Sequence, residues 1–98
     1  MRLALHVQPD LQWFEGHFPG TPLLPAVVQT SWAVAFARQH FALPPRFLSM
    51  SNMKFMRFIM PGMRIALRLR YDAPRGELSF EYLEGDAVSA SGRMRFGE

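Results

Sequence analysis

Apolar and polar residues alternate from the start of the chain. Leu3, Leu5 and Val7 fall on one side of an extended segment, and Arg2, Ala4 and His6 fall on the other. This predicts a half-buried strand over residues 2–8. Pro9-Asp10 ends it, and residues 9–24, rich in Pro and Gly, read as a loop. Pro25 suits the first turn of a helix, where its missing N–H costs nothing. From there to about Phe41 the spacing predicts a helix. Its apolar residues, among them Val27, Val28, Trp32, Ala33, Phe36 and Ala37, cover most of the circumference, and charge arrives only at Arg38. Such a helix is expected to be wrapped by other structure. Leu43-Pro44-Pro45 stops it.

The period then changes to two. Phe47 to Ile59 reads as a long β-like run broken by Pro61-Gly62. In the next run Ile65, Leu67, Leu69 and Tyr71 share one face, and Arg64, Arg68 and Arg70 share the other. Pro74-Arg75-Gly76 turns the chain. Leu78, Phe80 and Tyr82 point inward, with Ser79 and Glu81 outward. Glu84-Gly85-Asp86 makes a second hairpin turn. Val88, Ala90, Gly92, Met94 and Phe96 then alternate with Ser89, Ser91, Arg93 and Arg95. One early strand, one buried helix and four later antiparallel strands predict a curved sheet wrapped round the helix, an α+β arrangement in a single domain over residues 1–98.

Composition refines this picture. The chain has 98 residues, 49% of them apolar, enough for one core but little more. Nine Phe, two Trp and two Tyr exceed what so small a core needs, so some rings are expected at a subunit interface or along an apolar tunnel. The net charge of +3 is carried by Arg, with Lys54 the only Lys. It is compatible with nucleic acid or an acidic carrier protein, but composition alone favours a solvated Arg-rich surface. There is no Cys, which excludes disulfides, thiolate catalysis and Cys-based metal sites. Met1-Arg2 leads into alternation rather than an apolar block, and no apolar run approaches ~20 residues. A cytoplasmic location with no membrane span is the expectation.

The candidate chemistry begins in Phe14-Glu15-Gly16-His17-Phe18-Pro19-Gly20-Thr21-Pro22-Leu23-Leu24-Pro25. A constrained loop here carries His17 toward the helix start. Its imidazole either serves as a general acid or base or ties loop carbonyls together. His6 and His40 are weaker candidates, and the three lack metal-ligand spacing, so neither a metal nor another cofactor is expected. The unpaired amides at Pro25-Ala26-Val27 can polarise a carbonyl oxygen. Ser31 lies in the second turn of the helix. It either bonds a backbone carbonyl one turn back or pairs with His17, though no orienting acid is at hand. The Arg face (Arg64, Arg68, Arg70, Arg93, Arg95) either docks an acidic protein or phosphopantetheine, or is a solvated face partly neutralised by Glu77 and Glu81.

Gly16-His17-Phe18-Pro19-Gly20-x-Pro22-Leu23-Leu24-Pro25, followed by Lys54-Phe55 and Pro61-Gly62, resembles the bacterial 3-hydroxyacyl-acyl-carrier-protein dehydratases. The likeness runs over essentially the whole chain. Through Val28-Gln29 and Trp32-Ala33 it is tighter to the short dehydratase-like proteins of aryl polyene pathways. The resemblance implies a hot-dog fold, dimeric or a dimer of such units, and an acyl thioester substrate on an acyl carrier protein. It implies that His17 takes the C2 proton and that the Ala26 amide polarises the thioester carbonyl, where the family usually has Gly. Phe18, Pro25 and Val27, beside these groups, are the expected substrate-binding neighbours. The family's helix carboxylate, fourteen residues after the His, is Ser31 here. Serine does not titrate near neutral pH. The expectation is therefore a dehydratase-like protein that is weak or inactive as a homodimer. The alternatives are a non-catalytic subunit paired with an active hot-dog partner and, last, an acyl thioesterase. Nucleic acid is not an expected partner.

Overall fold

The computed structural model describes residues 1–7 and 24–98. The predicted loop, with Glu15, His17 and Phe18, lies outside these residues except for Leu24. The elements are β1 (Arg2–His6), α1 (Ala26–His40), β2 (Arg46–Phe55), β3 (Arg64–Asp72), β4 (Glu77–Glu84) and β5 (Ala87–Gly97). The strands form one five-stranded antiparallel sheet in the order β1-β3-β4-β5-β2.

Alternation in the sequence becomes a two-faced sheet because strand side chains point to opposite sides with period two. The rows Leu67–Tyr82–Ala90 and Leu69–Phe80–Gly92, and the pair Leu78–Met94, face α1. All but Gly92 are hydrophobic and at most 1% exposed. Removing each large apolar side chain from water stabilises the fold by about 2 kcal/mol. From the helix, Ala33 and Ala37 are fully buried. Their small side chains, four residues apart, let the helix lie close to the sheet. At the far end of α1 the Phe41 N–H donates to the Ala37 carbonyl at 2.7 Å. The Arg38 guanidinium lies 5.3 Å from the centre of the Phe96 ring, a cation–π contact that ties the helix end to β5.

The structure departs from the sequence reading in three places. Among the described residues the helix is covered on one side only: Val27 is 76% exposed, and Ser31 and Ala35 are also exposed. The described residues therefore leave part of the apolar helix surface open rather than wrapping it completely. Second, β2 stops at Phe55. The N–H groups of Met56 and Arg57 both reach the Ser89 carbonyl, at 2.8 and 3.0 Å, so the ladder ends and the chain turns inward to bury Ile59. Third, the alternation of β5 breaks at Ser89. A register shift between Tyr82 and Leu83 leaves Ser89 buried, its hydroxyl without a partner among the described residues.

β2 is an edge strand and exposes most of its length. Phe47, Leu48 and Met50 are 47%, 48% and 52% exposed. A bulge interrupts it at Asn52, whose φ of 53° lies in the left-handed region that Asn tolerates.

Between β3 and β4 the short turn Ala73–Arg75 ends at Gly76 with φ 63°. A Cβ added there would run into the Phe96 carbonyl oxygen. At Gly62, with φ 85°, a Cβ would meet nothing within 4 Å. Gly62→Ala is expected to cost about 1–2 kcal/mol, the left-handed backbone term by itself. Gly76→Ala is expected to cost more, because the clash is with backbone that has no rotamer to change. Thermal denaturation checks this, at roughly 4–8 °C of Tm per kcal/mol for a chain of this size.

Candidate functional site

The start of α1 is held from several directions. Leu24, 1% exposed, donates its N–H to the Ile59 carbonyl at 2.7 Å. Its own carbonyl accepts from Gln29 Nε2 at 3.0 Å. The Tyr82 hydroxyl, from the middle of the sheet, donates to the Gln29 carbonyl at 2.6 Å. Pro25 stands at the N-cap in an extended conformation (φ −61°, ψ 149°), and no side chain caps the helix. The first turn carries no acidic residue. The first amide to bond back into the helix is that of Gln29, to the Pro25 carbonyl at 3.0 Å. The amides of Ala26, Val27 and Val28 precede it and are the free donors of the helix end.

The side of α1 turned away from the sheet begins beside those donors. Ala26, Val27 and Ser31 are all exposed there, with Ser31 one turn beyond Val27 on the same line. The hydroxyl that bonds one turn back is that of Thr30, to the Ala26 carbonyl at 3.0 Å. Ser31 makes no such bond among the described residues, so its hydroxyl is available to a ligand. Pro25 is half-buried at the same spot. The structure thus brings together Pro25, Ala26, Val27 and Ser31. His17 and Phe18 lie outside the described residues. His40 is at the other end of α1, about 20 Å along its axis, and His6 is on the polar face of β1.

Among the described residues this arrangement presents amide dipoles with no carboxylate in the first turn, next to a hydroxyl and apolar side chains. It favours a ligand carbonyl or another group that gains negative charge. The Arg face is elsewhere. Arg64, Arg68 and Arg70 on β3, with Arg93 and Arg95 on β5, stand on the face of the sheet opposite α1.

Sequence reasoning missed Gln29, Ile59 and Tyr82 as positioning residues. For Gln29 the signal was present: it shares the Ala33–Ala37 line, where a polar residue interrupts the buried side, and it is 4% exposed. Its Oε1 is buried with no partner among the described residues.

A single antiparallel sheet carrying one long helix, with the helix start as its chemically open point, defines a hot-dog protein. Residues 1–93 match the ApeI-like family, described as ApeI dehydratase, and the chain belongs to that family. Among curated relatives, it is 32% identical over 72 residues to the 3-hydroxyacyl-(acyl-carrier-protein) dehydratase FabZ of Syntrophobacter fumaroxidans, covering 65% of this chain and 49% of the relative. The FabZ of Brucella ovis is 31% identical over 74 residues, covering 67% and 47%. The aligned stretch thus spans about half the length of these relatives. Among solved structures, the dehydratase heterocomplex ApeI:P from Xenorhabdus doucetiae superposes with a TM-score of 0.92 at 32% identity, covering 99% of this chain and 86% of that one. An uncharacterized protein from Erwinia carotovora subsp. atroseptica gives 0.87 at 42% identity, covering 98% and 81%. A hypothetical protein from Aquifex aeolicus, 13% identical with a TM-score of 0.72 and covering 96% and 92%, shares the fold alone.

Burial raises the Tyr82 phenol above its usual range. Its folded value exceeds the unfolded value of ~10, so its contribution to stability is whole below pH ~10 and is lost as pH rises through the folded value. Tyr82→Phe removes the bond to Gln29 and is expected to cost about 1 kcal/mol at neutral pH. It should also flatten the alkaline fall in stability. Denaturant unfolding of both proteins between neutral and strongly alkaline pH checks the pair of effects.

Proposed function

We propose that this protein binds carrier-borne 3-hydroxyacyl thioesters at the start of α1, as a dehydratase-like member of its family with weak activity of its own. The observation that carries this reading is the uncapped helix start, with Ala26, Val27 and Ser31 exposed on one side of it. The thioester carbonyl accepts from the Ala26 amide. Its polarisation makes the C2 hydrogens more acidic and stabilises the enolate-like charge that develops. His17, on the preceding loop, takes the C2 proton. The C2 electron pair forms the double bond to C3, and the C3–O bond breaks. The departing hydroxide needs a proton to leave as water, and Ser31 is the residue at the position of the family's helix acid. A serine hydroxyl is too weak an acid to give that proton, though it can hold the substrate hydroxyl or a water. Loss of a general acid typically costs a factor of ~10²–10⁴.

Dehydration of a 3-hydroxyacyl thioester, followed by the absorbance of the enoyl product, tests this. The unmodified protein is expected to turn over slowly, Ser31→Asp to be at least tenfold faster, and His17→Ala to abolish what remains. Fast turnover that Ser31→Asp leaves unchanged would overturn the reading. Release of free acid and thiol would point to thioester hydrolysis instead.

A second reading has its own support. The exposed line Val27–Ser31–Ala35 and the half-exposed apolar residues of β2 leave apolar surface uncovered among the described residues. The similar Xenorhabdus doucetiae structure is a dehydratase heterocomplex. A second hot-dog chain would cover this surface and bring an acid to a composite site. The chain is therefore expected to sediment as a dimer or larger, and Met50→Lys on the β2 edge to lower the assembly state with the circular dichroism unchanged. Co-purification with a second hot-dog protein favours the composite site. A monodisperse homodimer with two fully active sites counts against it.

A further inference from the structure

The face of the sheet turned away from α1 carries a groove that the thioester site does not use. In register, one row across the sheet reads Arg68–Glu81–Ser91–Lys54, and the next reads Arg70–Ser79–Arg93–Ser51. The register shift in β2 between Ser51 and Lys54, with Asn52 in the left-handed region, brings Asn52 and Lys54 to the rim. The groove they enclose has a volume of about 470 Å³.

Its charge is one-sided. Arg68 is paired with Glu81 at 2.9 Å, the only carboxylate among the described residues that line the groove. Lys54, Arg70 and Arg93 have no ion-pair partner among the described residues. Three uncompensated cations on a stiff sheet attract an anionic surface and hold it in one orientation. A second copy of the same face would meet them with like charge. Single-stranded nucleic acid is disfavoured because the groove offers no exposed ring for a base to stack on: its one aromatic, Phe80, is 1% exposed. An acidic protein surface, with discrete carboxylates separated by neutral residues, fits Lys54, Arg70 and Arg93 without meeting Glu81.

We infer that this outer face of the sheet is a docking surface for the acidic surface of a partner protein, separate from the place where the thioester binds. The inference deepens the function proposed above and rests on it in one respect, that the substrate comes on an acidic carrier protein. An apo acyl carrier protein, which has the acidic surface and no prosthetic arm, is the probe that tells docking from substrate binding. Its dissociation constant is measured by fluorescence anisotropy as salt is raised, with Arg70→Glu, Arg93→Glu and, as the same charge change at a distant turn, Arg75→Glu.

The expected result is salt-sensitive binding weakened about tenfold by each groove variant and less than twofold by Arg75→Glu, with binding of a small 3-hydroxyacyl thioester unchanged throughout. Binding that all three variants weaken equally would overturn the docking surface and leave the carrier reading intact. No binding of the apo carrier even at low salt would also overturn it, and thioester binding, measured alongside, would show whether the functional reading falls with it. Tighter binding of duplex DNA than of the carrier, lost in the groove variants, would identify a nucleic acid as the occupant and overturn the proposal as well.

Discussion

The position of the helix start relative to the sheet depends on a small polar knot in an apolar setting. Leu24 donates to the Ile59 carbonyl, Gln29 donates back to the Leu24 carbonyl, and the Tyr82 hydroxyl donates to the Gln29 carbonyl. Each bond contributes about 1 kcal/mol net. Their larger effect is geometric: the groups are buried, so leaving any of them unpaired costs more than the bond returns. The segment before the helix, the segment after β2 and the centre of the sheet are thereby fixed to one another. The free amides of Ala26, Val27 and Val28 point where this knot aims them.

Two of the irregularities of the sheet serve the same end. Ser89 receives the amides of Met56 and Arg57 on one carbonyl, which stops β2 and sends Ile59 inward to meet Leu24. The bulge at Asn52 changes which side of β2 each following residue occupies. Met53 comes to lie over Gly92, where an added Cβ would collide with its sulfur and with the Phe80 ring. Lys54 in turn reaches the outer face. A regular strand would offer neither the buried Ile59 nor the basic rim.

The sheet therefore separates two kinds of surface. Toward α1 lie the apolar core and, at the helix start, donors suited to a carbonyl. Away from α1 lies a polar face in which cations outnumber carboxylates. Chemistry that the sequence placed side by side as candidates thus divides between the two faces of the sheet. The exposed apolar residues of β2 and the Val27–Ser31–Ala35 line form a third surface, uncovered among the described residues.

Much of the fold was legible in the residues. Period-two runs gave the strands and their inward faces, because a one-residue slip would turn every buried Leu to water. Pro25 and Leu43-Pro44-Pro45 marked the helix to within a residue or two. The loop motif around His17 and the helix start at Ala26 identified the family. That Ser31 stands where the family has its helix acid is what the resemblance implies. Other features were not legible: the early end of β2, the buried Ser89, and the roles of Gln29, Ile59 and Tyr82. These depend on which carbonyl lies opposite which amide once the strands are paired. Sequence by itself determined which residues are apolar and at what period, since that follows from local stereochemistry. Only tertiary structure decided which polar groups meet across the sheet and which side of the helix stays open, since those contacts join residues far apart in the chain.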